Sequence, residues 1–438
     1  MVGQIWNGAA RAALTCVLAL GLAVGGQTEE PVSGGLDGAL AQASAVGGLS
    51  VGAQLAQAGA DERHPLADSD TPFARRMDVY ERDPETPPSS GHVASIVEAD
   101  NGDILYSFNA NTPVEGRDRW IDWPYVARIP KGGERFGEPL RIDRDSTDEV
   151  HNTVLWNSGN GRIFLFYTTQ EGPRHQYSRL DVVTSDDDGF TWSEPRTMRE
   201  EHGLMFGTRA FRMSNGEAIL PVYVEAYPRG VGFFISGDDF ETWEVYPGEQ
   251  PWPGAHPTWT ESRQMPGTPV PPGGLQATVV ELDEPGHLLA YMRTSTPYSY
   301  KTRSEDYGRT WTVAESTGVI SSARVALLKL DNGHLLMAYN PTDTSPRSPL
   351  RVSLSEDDGE TWAYSVEIET DRTKRFDYPY LYQCSQGLIH LGYTHLRENM
   401  RYAVFNEAFV RNGEDLESDT GYSVVEYRDG EIAKTPLD

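Results

Sequence analysis

Four stretches share one spelling: SDDDGFTW over 185–192, SGDDFETW over 236–243, SEDYGRTW over 304–311 and SEDDGETW over 355–362. The common form is Ser-x-Asp-x-Gly-x-Thr-Trp, with Phe240 in place of the glycine in the second copy. An eight-residue pattern met four times in one chain is an internal repeat, and a repeat constrains the fold more than any single residue does. Each copy reads as a turn. Its Ser and Asp side chains can bond backbone amides, its Gly takes a strained angle, and its Trp can pack between neighbouring sheets. The boxes lack the terminal glutamate and flanking helices of a calcium loop, so they read as structure and not as metal sites.

A second pattern runs alongside the boxes: an apolar run, a polar residue plus Gly, and another apolar run. It appears as VEADNGDILYSF (97–108), LWNSGNGRIFLFY (155–167), FRMSNGEAILPVY (211–223), VELDEPGHLLAYM (280–292), LKLDNGHLLMAY (328–339) and YQCSQGLIHLGY (382–393). Each copy is a β-hairpin signal, because tight turns of this type match the twist of the flanking strands. The turn glycines are Gly102, Gly161, Gly216, Gly286, Gly333 and Gly387. Six hairpins, each followed by two more short strands, predict an all-β chain: a six-bladed β-propeller of four-stranded antiparallel blades. The stretch Asp78–Glu81 is a candidate strand for closing the ring, and the alternating tail YSVVEYRDGEI (422–432) could complete the last blade.

Composition agrees with this. Ten Trp, 21 Tyr and 14 Phe can fill a core, and 43 Gly with 29 Pro favour turns over long helices. A formal charge of −28 excludes nucleic acid and anionic membrane surfaces as partners, and an acidic ligand would need a local basic pocket. Two cysteines, Cys16 and Cys384, exclude a disulfide scaffold and a cysteine-based zinc site. The apolar run ALTCVLALGLAV (13–24) behind Arg11 is too short to span a bilayer and reads as part of a signal peptide over 1–24. Residues 25–70 read as a low-complexity leader and 71–438 as the propeller. The expectation is a secreted or periplasmic protein, with no membrane association after cleavage and no cofactor.

The repeat also places residues on a functional face. Positions about ten before and seven after each turn glycine lie at the end of the blade away from the turn. Upstream stand His92, His151, Phe206, Gln276, Ala323 with Arg324, and Asp377 with Tyr378. Downstream stand Asn109, Thr168, Tyr223, Arg293, Asn340 and Thr394, with Arg209, Glu225 and His395 close by. This polar, aromatic, locally basic set rings one mouth of the propeller, where a concave ligand site is expected.

These residues and the four boxes resemble the sialidase (neuraminidase) superfamily, in its BNR-repeat or Asp-box-like branch, over about residues 85–408. The stretch 324–362 resembles the family's fifth blade, with Arg347 at a carboxylate-binding arginine. LQATVVELDEPGHLLAYMR (275–293) resembles the fourth, with Arg293 at another. RFDYPYLYQ (375–383) resembles the start of the sixth, with Tyr378 at the tyrosine nucleophile. The resemblance implies a glycan ligand and hydrolysis of terminal sialic or related acidic sugars. Arginines hold the sugar carboxylate by paired charge-assisted bonds, and a neutral phenol approaches an anionic sugar where a carboxylate nucleophile would be repelled. The pattern departs at two positions. His92 stands where the first arginine of the family's triad would be, and Gln276 stands where a glutamate would polarise the tyrosine. The base role then falls to Glu225, with Asp377 as alternative. The acid is sought in PVEGRDRWID (113–122) among Glu115, Asp118 and Asp122, of which Glu115 fits the branch best. The expected substrate contacts are Arg293, Arg347, His92, Gln276, Arg209, Arg324, His151 and Asn340. Two other readings stay open: a polysaccharide lyase acting on uronic-acid glycans, and a non-catalytic glycan-binding propeller.

Overall fold

The computed structural model describes residues 63–113, 120–142, 148–171, 175–200, 203–225, 230–246, 274–413, 415–416, 423–428 and 431–435. The expected signal peptide, nearly all of the leader, Cys16, Glu115 and Asp118 lie outside the described residues. What is described is almost entirely β, arranged as six antiparallel sheets that form the blades of a six-bladed propeller.

Each blade begins with its innermost strand. These are His92–Glu98, Glu149–Asn157, Leu204–Phe206, Leu275–Glu281, Ala326–Lys329 and Phe376–Gln383 for blades 1 to 6. Blades 1, 2, 4 and 5 have four strands each. In blade 3 the inner segment is split in two, and both pieces, Leu204–Phe206 and Phe211–Arg212, pair with Ala218–Val224. Burial explains why the sheets stack radially. Six apolar clusters occupy the six junctions between successive blades, including the junction of blade 6 with blade 1. Strands sandwiched this way bury both faces, which is why the inner runs are nearly continuously apolar and do not alternate.

The ring is closed by an N-terminal strand, but earlier in sequence than Asp78–Glu81. Phe73–Asp78 inserts between Asn399–Phe405 of blade 6 and Ser423–Arg428 of the tail. Only Asp78 is shared with the expected segment. Val79 and Tyr80 lie in the apolar cluster between blades 6 and 1, so their apolar character reflects packing and not strand pairing. The tail does join the last blade, which thereby reaches six strands. A buried ionic knot lies at this seam. Glu369 of blade 5 meets Arg76 at 3.0 Å and Arg401 at 2.7 Å, and accepts a hydrogen bond from the Tyr393 hydroxyl.

The four boxes form one repeated turn. Ser185, Ser236, Ser304 and Ser355 accept from the amide four residues on at 2.8–2.9 Å. Asp187, Asp238, Asp306 and Asp357 accept from the box threonine through both its hydroxyl and its amide. The box tryptophan packs between sheets as expected: Trp311 of blade 4 stacks on Phe233 of blade 3 with centroids 4.2 Å apart. The boxes sit at the hairpin-turn end, since the Tyr307 amide donates to the carbonyl of turn residue Gly286. They are therefore remote from the opposite mouth.

Candidate functional site

A repeated irregularity shapes the mouth. In blades 1, 2, 4 and 6 the pairs His92↔Asn109, His151↔Thr168, Leu275↔Arg293 and Asp377↔Thr394 are each followed by a register shift. The residue after each pair adopts a left-handed backbone: Val93 (φ 59°), Asn152 (49°), Gln276 (53°) and Tyr378 (54°). This is a β-bulge, and bulges re-aim side chains at barrel and propeller rims. It also corrects the sequence alignment. Gln276 corresponds to Asn152 and Tyr378, whereas His92 and His151 correspond to Leu275 and Asp377. A left-handed non-glycine residue costs of order 1–3 kcal/mol. Four of them in equivalent places indicate that the mouth geometry is over-determined by its surroundings.

Gln276 and Tyr378 meet across the axis. The Gln276 amide donates to the Tyr378 hydroxyl at 3.2 Å, and both side chains are nearly buried, at 5% and 8% exposure. His92 stands edge-on to the Tyr378 ring with centroids 4.4 Å apart. Its Nδ1 meets the Thr394 hydroxyl at 3.1 Å. Burial, with Arg397, His151, Arg375 and Arg324 nearby, holds the His92 imidazole well below its usual pKa, so it is neutral near pH 7.

Five arginines surround this pair. Arg347 donates to Asp377 at 2.9 Å and lies 5.9 Å from the Tyr378 ring centroid. Strand alternation would turn Asp377 and Tyr378 apart. The bulge interrupts that alternation, and Arg347 reaches both. Asp377 is fully buried and also bonds Arg375 and, at 3.4 Å, Arg397. Asp377, the alternative base of the sequence reading, is thus engaged by three guanidinium groups. Arg324 also lies 5.9 Å from the Tyr378 centroid and is 1% exposed. Arg293 is half-buried, and its Nε has no partner.

The other expected contacts are placed as follows. Arg209 lies 5.8 Å from the Tyr382 ring centroid, four residues along the inner strand from Tyr378, and so sits deeper along the axis than the rim. His151 stands edge-on to His175 and 3.8 Å from Glu149. Asn340 is buried, and its amide donates to the carbonyls of Arg347, Pro349 and Phe376. This places Asn340 as the fastener of the Arg347 loop, not as a contact aimed at the mouth. Glu225 lies beside Tyr223, whose hydroxyl burial, Glu225 and Tyr378 together push well above its usual pKa. Asp122 of blade 1 accepts from Asn109 at 2.6 Å. Burial raises its carboxyl to about 6, assisted by Glu149 and opposed by Asn109 and Arg397.

Four residues escaped the sequence reading as site members. Tyr223 stood at the downstream position but carried no motif; its hydroxyl accepts from Asn152 at 2.8 Å. Asn152 is a bulge residue, and nothing in its local sequence announces a bulge. Arg375 and Arg397 flank blade 6 strand ends and enter only through Asp377. Among the described residues, no three His, Cys, Asp or Glu side chains come together as a metal site.

The arrangement can hold an anion over a tyrosine, with a protonatable carboxyl at the rim. Comparison with known proteins agrees on the scaffold. A Hadza microbial sialidase, Hz136, superposes with a TM-score of 0.59 at 20% identity, over 73% of this chain and 66% of that one. The intramolecular trans-sialidase from Ruminococcus gnavus gives 0.59 at 16%, over 76% and 98%. The NanB sialidase from Streptococcus pneumoniae gives 0.59 at 12%, over 76% and 70%. At these identities the likeness shows the fold. No curated protein matches the chain. The model of the BNR repeat-like domain matches residues 124–391, more than half of the sequence. With its six blades and four repeated boxes, the chain belongs to the BNR repeat-like domain family.

Proposed function

We propose that the protein is an exported exo-glycosidase of sialidase type that hydrolyses terminal sialic or related acidic sugars. One observation carries the reading: Tyr378 is held by Gln276 on a bulge, with arginines beside its ring. Arg293 and Arg347 orient the sugar carboxylate. The Tyr378 oxygen attacks the anomeric carbon as Asp122, a carboxyl raised to about 6, gives its proton to the departing oxygen. Water then releases the sugar, with Asp122 taking the proton back. Asp122 takes this role over Glu115 because its environment fits an acid that must change state near neutral pH. Glu225, which acts electrostatically on Tyr223 as Tyr378 also does, is the carboxylate that takes the phenolic proton in this reading. The Tyr378→Phe variant should lose at least ~10³-fold in kcat while still binding an acidic sugar. Turnover at the wild-type rate in that variant would reject the tyrosine mechanism.

Gln276 and the neutral His92 favour a second reading. A lyase needs a base beside the sugar ring and a cation on its carboxylate, but no carboxylate behind the tyrosine. A product carrying a new double bond, absorbing in the near ultraviolet, would select that reading.

A further inference from the structure

We infer that Arg324 is an anion-gripping residue of this mouth, and that a ligand carboxylate seats on Arg324 together with Arg347 beside Tyr378, replacing the blade 1 contact that His92 does not provide. The inference rests on the reading that the mouth binds an acidic sugar, and it names the part of the mouth that selects the acid.

The first ground is an unmet need. Arg324 precedes the inner strand of blade 5 and is 1% exposed, yet its Nε and Nη2 have no hydrogen-bond partner. A buried guanidinium normally has a carboxylate or a set of carbonyls on its five N–H groups. The groups that act on Arg324 are the phenols of Tyr223, Tyr378 and Tyr380, none of which is a carboxylate. Burial lowers its pKa to about 10, so it remains a cation at neutral pH.

The second ground is that the buried carboxylate nearest in the chain to Tyr378 is already occupied. Asp377 is bonded by Arg347, Arg375 and Arg397. Aromatic contact with Tyr378 offsets part of the cost of burying Arg324, but a ring face does not satisfy two separate N–H groups. A ligand carboxylate does, because its two oxygens match the guanidinium fork. His92 is neutral and offers no permanent charge. Arg324 supplies that charge from another blade. The consequence is selectivity: an acidic sugar satisfies Arg324, and its neutral ester leaves the buried charge unpaired.

The test measures binding of 2,3-didehydro-2-deoxy-N-acetylneuraminic acid, its methyl ester and glucuronate by calorimetry, alongside thermal unfolding. The variants are Arg324→Met, Arg324→Lys and Arg209→Met. The wild-type protein should bind at least one free acid tenfold or more tighter than the ester. Arg324→Met should abolish that preference while raising the unfolding temperature of the unliganded protein, because it removes an unpaired buried charge. Arg324→Lys should keep part of the preference, and Arg209→Met most of it. A purely structural role for Arg324 gives the opposite: Arg324→Met unfolds more easily, and folded Arg324→Lys binds acid and ester like the wild type. No binding of any acid by the wild type would also overturn the inference. Hydrolysis is scored separately. Acid preference lost in Arg324→Met, in a protein that cleaves no sialoside, would sink the glycosidase reading and leave the anion seat standing. Cleavage with the preference intact in Arg324→Met would do the reverse.

Discussion

Phe240 occupies the place of a box glycine with φ of 60° and is fully buried, edge-on to Trp156 and Phe166. Backbone strain and side-chain burial oppose each other here. Relief of a left-handed residue gains about 1 kcal/mol, while emptying a buried phenylalanine site costs roughly 3–5 kcal/mol. Burial wins, so Phe240→Gly should destabilise the protein by about 2–4 kcal/mol in denaturant unfolding, even though it restores the spelling of the other boxes. Asp122 gives the second residue-scale test. Asp122→Asn should lower kcat by ~10²–10⁴-fold. In the wild type, activity should fall as pH rises through about 6, because the acid form is lost there. The same raised pKa has a stability consequence. The proton is bound more tightly in the folded state, so the stabilisation it brings is fully present below about pH 4 and lost as pH rises through about 6. At this scale the sequence named Tyr378, Arg324 and Arg347 through their motifs and hairpin positions. It aligned His92 with Gln276 one residue out of phase, because the blade 4 turn, 282–287, is one residue longer than the blade 1 turn, 99–103, and counting back from the turn glycine carries that extra residue into the strand.

The Asp box and the bulged inner strand are the elements that matter. Ser304 accepts from the Gly308 amide at 2.9 Å and donates to Asp306 at 2.8 Å. Ser304→Ala should therefore cost about 1–2 kcal/mol and leave kcat and KM unchanged, since the box lies at the end away from the mouth. A changed KM would contradict that separation. The hairpins were legible because a turn glycine between apolar runs has one cheap solution. The closing strand was misplaced because Val79 and Tyr80 look like strand residues while serving the junction between blades 6 and 1. Buried packing and sheet pairing select the same residue types, so composition alone does not separate them.

Ring closure is a property of the whole molecule. Phe73–Asp78 joins residues from the two ends of the propeller, and Glu369 ties Arg76 to Arg401 across the seam. Glu369→Ala would leave two buried cations with one partner fewer and should cost about 3–5 kcal/mol. An unfolding midpoint within error of wild type would show that the seam does not limit stability. Charge also acts at this scale. Asp187 and Asp238 are held below the usual carboxylate range by their box threonines. Their stabilisation is present above about pH 4 and is lost as pH falls through their lower folded values, so acid should loosen the blades. The chain carries −28 overall, yet its mouth gathers Arg293, Arg324, Arg347, Arg375 and Arg397. That contrast was legible only in part, since Arg375 and Arg397 join the mouth through folding and carry no motif.

The central claim is that this mouth hydrolyses an acidic sugar by way of Tyr378. It is tested most directly by mass spectrometry of the products formed when the purified protein meets sialylated and uronate-containing glycans. Free sialic acid, or another free acidic sugar at its hydrolysed mass, that disappears in Tyr378→Phe is the expected result. A product lighter than the hydrolysed one by one water, or no product from any glycan while binding persists, would contradict it.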